Sequence, residues 1–361
     1  MTHTIHNFAT QYNAYKQAID DDIAAYADSV RKSTKAQFGA AAALEADAFL
    51  QTLAGGKRLR GVLTLIGYEM CGGQNRAMVL QAARAMEMLH AYVLIIDDMQ
   101  DRSPTRRGQP SAHAALAAYH RTHNLRGDAE HFGLSVALNA AIAGAHAAQA
   151  TLANLDAEPQ LRLNVLSITN RTLGITAHGQ TDEFFVAAHA TPPSTAELER
   201  ILEWKTALYS VINPLHVGMV LAGANCHATD AITPYATHVG KAYQLANDLE
   251  GAFGDATSQR AGEDILDGKL TSVITYALRH AIATNRQFLQ RCLGKGRELP
   301  LADLTRCQEI IEQSGATAYV QRQIQQYVQL ALRSLDAEKH RWSTQGVHDL
   351  QVIAQALADE R

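Results

Sequence analysis

The chain has 361 residues, 47% apolar and 19% charged, with a formal net charge of −4. That much apolar material builds a sizeable core and excludes disorder, and so mild an acidity excludes the basic footprint of a nucleic-acid or anionic-membrane binder. Cys71, Cys226, Cys292 and Cys307 show no paired spacing, which argues against zinc and disulfide frameworks.

No apolar stretch approaches the roughly 20 residues of a membrane span, and the opening MTHTIHNFATQYNAYKQAI lacks the apolar core of a leader. A cytoplasmic enzyme is the expectation. Alanine is abundant, prolines number only 8, and the segments between turn signals repeat with a period near 3.6 rather than 2 residues. Helices are predicted over 6–33, 37–53, 58–70, 77–101, 110–124, 129–153, 158–186, 195–208, 210–226, 231–252, 271–283, 302–313, 316–336 and 344–358. Breaks fall at 53–56, 71–73, 103–110 and 190–194, where Gly, Pro and polar residues cluster. No strand pattern and no internal repeat is visible, so the fold class is all-α, a helical bundle forming a single domain over 1–361.

After the first break, GGKRLRG (55–61) sets Lys57 and Arg60 one turn apart behind a glycine pair, so that helix N–H groups and two cations face one anion. The GxxxxGK[ST] spacing of a P-loop is absent. The helix over 77–101 ends in AYVLIIDDMQD, where Asp97, Asp98 and Asp101 follow Leu94, Ile95 and Ile96 directly. Like charges so spaced repel by a few tenths of a kcal/mol per pair. A solvated helix end is the ordinary reading of such a triple. The apolar run before it favours another, because carboxylates at the rim of an apolar helix suit a hard cation. Magnesium takes one or two carboxylates, waters and phosphate oxygens. RSPTRRGQP follows at once, with adjacent guanidiniums at Arg106 and Arg107, and His120 and His123 read as surface residues. Far downstream, KAYQLANDLEGAFGD (241–255) places Lys241, Gln244, Asn247 and Asp248 on one helical face and Tyr243, Ala246, Leu249 and Phe253 on another. Anion sites beside metal sites point to polyphosphate esters as ligands.

Over 35–285 the chain resembles the trans-isoprenyl diphosphate synthases, the polyprenyl synthetase family. The motifs stand in the family's order: GGKRLR (55–60), HAYVLIIDDMQD (90–101), RRGQPSAH (106–113), GQTDEFF (179–185), WKTALY (204–209), YQLANDLEGAFGD (243–255) and EDILDGKLTSVI (263–274). The resemblance implies an isoprenoid synthase-type bundle around a deep central cavity, two acidic motifs facing across it, and a homodimer. It implies head-to-tail condensation of isopentenyl diphosphate with an allylic diphosphate, with three Mg2+ per site, for which Mn2+ can substitute. The metal ligands it implies are Asp97, Asp98, Asp101, Asn247 and Asp248. Arg106, Lys205 and Lys269 would stabilise the leaving diphosphate, and Thr206 and Gln244 the allylic cation. Gly56, Lys57, Arg60, His90 and Arg107 would bind isopentenyl diphosphate. His90 alone would pass for a core histidine, but it precedes Asp97 by two helical turns on roughly the same face. Each residue before Asp97 lies about 1.5 Å deeper along the helix. By itself Tyr92 reads equally as core packing. It is the resemblance, in which bulk at this depth accompanies short products, that implies Tyr92 as the floor, with Val93 leaving space. Products of farnesyl or geranylgeranyl length follow, with the longer preferred.

The chain departs from the family in its second acidic motif. Asn247 stands where the first Asp is expected and Gly251 where the last should be. Asp255 lies eight residues beyond Asn247, the spacing of the metal triad in class I terpene cyclases, but Gly251 offers that triad no oxygen. A lysine expected between 255 and 264 is missing, with Arg260 nearest, and an expected GD pair reads Asn139-Ala140. The leading reading is an active chain-elongating transferase. Intact Lys57, Arg60 and Arg107 speak against a cyclase, and the intact first motif against a noncatalytic partner subunit. Residues 287–361 carry no legible role.

Overall fold

A computed structural model describes the backbone of residues 2–189, 191–254 and 262–359, with side chains from residue 10 to residue 358 of these segments. The 3.6-residue spacing is realised as α1 (Thr2–Phe38), α2 (Ala40–Leu53), α3 (Leu59–Met70), α4 (Arg76–Gln100), α5 (Ala112–Thr122), α6 (Ala129–Ala153), α7 (Pro159–Ala188), α8 (Thr195–Ile201), a π-helix (Leu202–Ile212), α9 (Asn213–Leu221), α10 (Cys226–Phe253), α11 (Glu263–Asp267), α12 (Ser272–His280), α13 (Ala283–Cys292), α14 (Leu301–Gln313), α15 (Ala316–Glu338) and α16 (Thr344–Asp359). The all-α expectation stands.

Three local predictions need correction. A short antiparallel hairpin, β1 (Thr105–Arg106) with β2 (Gln109–Pro110), lies where no strand was expected. Two-residue strands are too short to show alternation. Their loop residues, Arg107 (φ 53°) and Gly108 (φ 73°), both adopt the positive φ that a type I′ turn demands. The predicted break at 209 is absent, because the π-helix carries the chain unbroken from α8 into α9. Helix α13 went unpredicted because its sequence is largely polar; Leu289 and Cys292 are its buried residues.

The chain divides into two compact units, residues 1–167 with 214–224, and residues 168–213 with 225–361. In the first, α4 is the central helix and packs against α1, α2, α3, α5 and α6. Its length and mean hydropathy of 1.3 over its most apolar window would suffice for a membrane span, contrary to the expectation that no stretch comes near one. An uninterrupted-run criterion misses it because Arg84 and Glu87 interrupt the sequence. Met86, Met88, Leu89 and Ile95 of this helix are buried in the unit's core. His120 of α5 is also inside, only 4% exposed rather than a surface residue. Its Nε2 lies 3.1 Å from the Arg126 carbonyl oxygen, and its ring stands 5.2 Å from that of Phe132.

In the second unit α10 packs against α15, the π-helix, α12 and α16. Gly240 of α10 permits one close approach: a Cβ there would lie 2.5 Å from Ala207 of the π-helix. The C-terminal helices hold α10 from behind. Tyr235, fully buried, donates its hydroxyl to the Leu350 carbonyl of α16 at 2.6 Å.

Candidate active site

Each unit gathers one constellation of polar side chains. In the first, the C-terminus of α4 concentrates Asp97 and Asp98 in its last turn, with Asp101 as the C-cap. A helix C-terminus already carries about half a negative charge, so three carboxylates there are unfavourable without a cation. Asp98 is only 1% exposed, and a buried carboxylate is costly unless paired. Arg106 meets that need: its Nε donates to Asp98 Oδ1 at 2.9 Å, its Nη2 donates to the same oxygen, and Nη2 also reaches Asp97 Oδ2 at 3.4 Å. The hairpin delivers this guanidinium, with Arg106 paired to Gln109 in the ladder. Backbone bonds from Asp101 N to the Asp97 carbonyl (2.8 Å) and from Ser103 N to the Asp98 carbonyl (2.9 Å) close the turn.

These hard oxygen donors fit magnesium, and the Arg106 cation already sits on their lone pairs. Among the described residues no three His, Cys, Asp or Glu side chains converge to hold a bare ion. Magnesium does not require them to, since phosphate oxygens and waters fill most of its octahedron.

Further up α4, His90 is surrounded by cations. Its pKa lies well below the usual imidazole range, through burial first and then Arg60, Arg107, Arg106 and Arg58, so the ring is neutral. Four guanidiniums lie near one neutral ring, Arg58 balanced by Asp20 and Glu87 and Arg106 by Asp98, so the attraction for an anion rests mainly on Arg60 and Arg107. Arg60 is buried, while Lys57 is exposed and precedes α3, with its carbonyl accepting from the Tyr12 hydroxyl at 2.6 Å. The expected offering of α3's N–H groups to an anion is narrowed by one, at Gly61, and the helix's own ladder begins at Val62. The Gly61 N–H is taken by Glu87 Oε1 at 2.8 Å, and the Val62 N–H by the Arg58 carbonyl at 2.9 Å. Arg58, the left-handed N-cap (φ 59°), points inward to Asp20 (2.7 Å), the Leu53 carbonyl (2.7 Å) and Glu87 (3.5 Å). Arg107 lies across the turn before α3, donating Nη1 to the carbonyls of Ala54 (2.8 Å), Gly55 (3.1 Å) and Thr52 (3.3 Å). Gly56 (φ 97°) makes room for it, since a Cβ there would stand 2.7 Å from Arg107 Nη2. Tyr92 and Val93 are half-buried, whereas Ala91, Leu94 and Ile95 beside them are buried.

In the second unit the π-helix carries Lys205 and Thr206. Rare π geometry recurs at functional sites because it re-aims side chains that an α-helix would space differently. Lys205 Nζ pairs with Glu183 Oε2 of α7 at 2.5 Å. The Thr206 hydroxyl donates to Gln244 Oε1 at 2.6 Å, and Gln244 Nε2 donates to Asp248 Oδ1 at 2.7 Å, a chain running along α10 beside Asn247. Asp248 is buried and its pKa is raised to about 7. Burial dominates; the Gln244 hydrogen bond, Lys205 and Lys269 pull down, and Glu183 pushes up. Lys269 is largely buried, with Asp267 at 3.8 Å. Lys241, predicted on this polar face, pairs instead with Glu199 (3.0 Å) and Glu203 (3.1 Å). Asp255 and Arg260 lie outside the described residues.

Sequence reasoning passed over Arg58, Glu87, Glu183 and Asp264. Glu183 stands at the last place of GQTDE and Asp264 opens DILDGK, so both were within quoted motifs. Arg58 also lay within a quoted motif, GGKRLR, whereas Glu87 gave no signal, since its meaning is its proximity to Arg58.

The model of the polyprenyl synthetase family matches residues 41–311. A geranylgeranyl diphosphate synthase of Saccharolobus solfataricus is 28% identical over 295 residues, 81% of this chain and 83% of that protein. An all-trans-nonaprenyl-diphosphate synthase of Rhodobacter capsulatus is 25% identical, over 78% of this chain and 79% of that one. Among solved structures, a geranylgeranyl pyrophosphate synthase from Corynebacterium glutamicum, complexed with isoprenyl diphosphate and magnesium, superposes with a TM-score of 0.89. It shares 28% identity, covering 96% of this chain and 99% of that one.

Proposed function

Because the chain belongs to the polyprenyl synthetase family and is a prenyltransferase that gives a short-chain prenyl diphosphate, we propose that both constellations serve one reaction. In it, isopentenyl diphosphate is condensed head-to-tail with an allylic diphosphate. The supporting observation is the buried Asp98 carboxylate tied to Arg106 beside Asp97. A pair of adjacent carboxylates held by one guanidinium can exchange that cation's bonds for magnesium and diphosphate oxygens.

Asp97, Asp98 and Asp101 in the first unit, and Asn247 with Asp248 in the second, would hold three Mg2+ ions, with Mn2+ able to replace them. When bound, the metal neutralises the allylic diphosphate and so eases its departure. Arg106, released toward the diphosphate, and Lys205 and Lys269 add fixed positive charge where negative charge develops. Such preorganised charge is usually the largest catalytic term. Thr206 donates its proton to Gln244, which leaves the hydroxyl lone pairs free to face an allylic cation. Arg60 and Arg107 near a neutral His90, with Gly56 and Lys57, would hold isopentenyl diphosphate. His90 then binds as a hydrogen-bond donor without adding charge. The departing pyrophosphate is the base for the final proton.

Homodimerisation belongs to the same proposal. Leu134, Leu138 and Ile142 of α6, spaced four residues apart, are 37%, 43% and 46% exposed and form an apolar stripe. The reaction is tested with purified protein, Mg2+ and labelled isopentenyl diphosphate across geranyl, farnesyl and dimethylallyl starters. Label should enter longer diphosphates, with geranylgeranyl diphosphate leading. Hydrocarbon from an allylic diphosphate alone, or no turnover, would overturn the proposal.

A further inference from the structure

Helix α10 carries Asn247 and Asp248, and one turn on, at position 251, the same face is a glycine. Its bare backbone is not open space. A Cβ on Gly251 would fall 2.5 Å from Oδ2 and 2.7 Å from Cγ of Asp264, so this carboxyl group of α11 lies on the helix where a side chain would otherwise stand. Asp264 is only 8% exposed. Among the described residues no hydrogen bond or salt bridge reaches its carboxylate; Lys269 and Lys205 act on it only through space, against Asp248 and Glu183. Buried polar groups are almost always satisfied, and an exception calls for an explanation such as a bound ion. Three carboxylates sharing one buried neighbourhood have the same requirement.

We propose that Asp264 is a metal-binding residue of the second constellation, supplying from α11 the carboxylate that Gly251 withholds from α10. This rests on the reading that Asn247 and Asp248 hold a metal–diphosphate group. Gly251 is then not a defect in the acidic motif but the vacancy that lets Asp264 approach. Glu250, the adjacent acid on α10, is exposed and points about 100° away, so it does not fill that place.

The test measures Mn2+ binding to the full chain with inorganic pyrophosphate, by the resonance signal of free Mn2+, alongside metal-free melting. Asp264→Asn should weaken pyrophosphate-dependent Mn2+ binding at least tenfold, while the metal-free melting temperature at pH 8.5 holds or rises, because there the ionised, unpaired carboxylate is replaced by a neutral amide of the same size. Gly251→Ala, which pushes the carboxylate aside without removing it, should weaken binding too. Gly251→Asp combined with Asp264→Gly, which returns the acid to α10, should restore it. Wild-type Mn2+ binding by a folded Asp264→Asn protein overturns the proposal. Asp98→Asn separates the two readings. If it weakens binding and Asp264→Asn does not, only the role of Asp264 falls; if the wild type itself shows no pyrophosphate-dependent Mn2+ binding, both fall.

Discussion

Burial holds protons on Asp248 and Asp264, whose pKa values rise to about 7 and about 8. Between the ordinary carboxylate range and those values the folded chain binds more protons than the unfolded one, so stability falls as pH rises. His90, His113 and His238 are shifted down and work the other way, but only below about pH 6.5, where an unfolded imidazole takes up its proton. The window from pH 6.5 to 8 therefore belongs to the two acids. Metal-free protein should lose on the order of 1–2 kcal/mol across it, read as a falling melting temperature, and Mg2+ with pyrophosphate should flatten the slope. A melting temperature that rises over this range would contradict the assignment. At this scale the legible residues were those whose neighbours in sequence are also their partners: Asp97, Asp98 and Arg106 through adjacency, Gln244 and Asp248 through one helical turn. Glu183, Asp264, Glu87 and Arg58 acquire meaning only from side chains 22 or more positions away or from buried approaches that no spacing encodes.

Among elements, α4 joins two functions on one rod: the acidic turn at its end and the residues that precede it. Because each residue adds about 1.5 Å along the axis, the half-buried Tyr92 sits roughly 7 Å before Asp97, and we propose it as the floor against which a growing prenyl chain stops. Tyr92→Ala should shift the main product at least one isoprene unit longer, as resolved by chromatography of the dephosphorylated alcohols; an unchanged distribution would remove Tyr92 as the floor. Long periodic helices such as α4 and α6 were readable because burial on one face repeats over many turns. The hairpin that carries Arg106 and the π-helix that carries Lys205 and Thr206 were not, since two-residue strands and a changed helical pitch leave no periodic trace. Both irregular elements bear candidate site residues, which is where local rules are expected to yield to function.

For the whole molecule, the helical class followed from the 3.6-residue period, and family membership from seven ordered motifs, each weak by itself. The α6 stripe predicts assembly: Leu138→Glu should convert a dimer to a monomer in light scattering after gel filtration, and a wild-type monomer would refute this use of the stripe. The most direct measurement is a double-mutant cycle on kcat/KM with Asp98→Asn and Asp248→Asn. If both constellations act on one diphosphate, each single variant loses at least a hundredfold, and the double variant loses clearly less than the product of the two, with a coupling of about 1–3 kcal/mol. Strictly multiplicative losses, or either single variant with full activity, would show that the two acidic helices do not share a substrate.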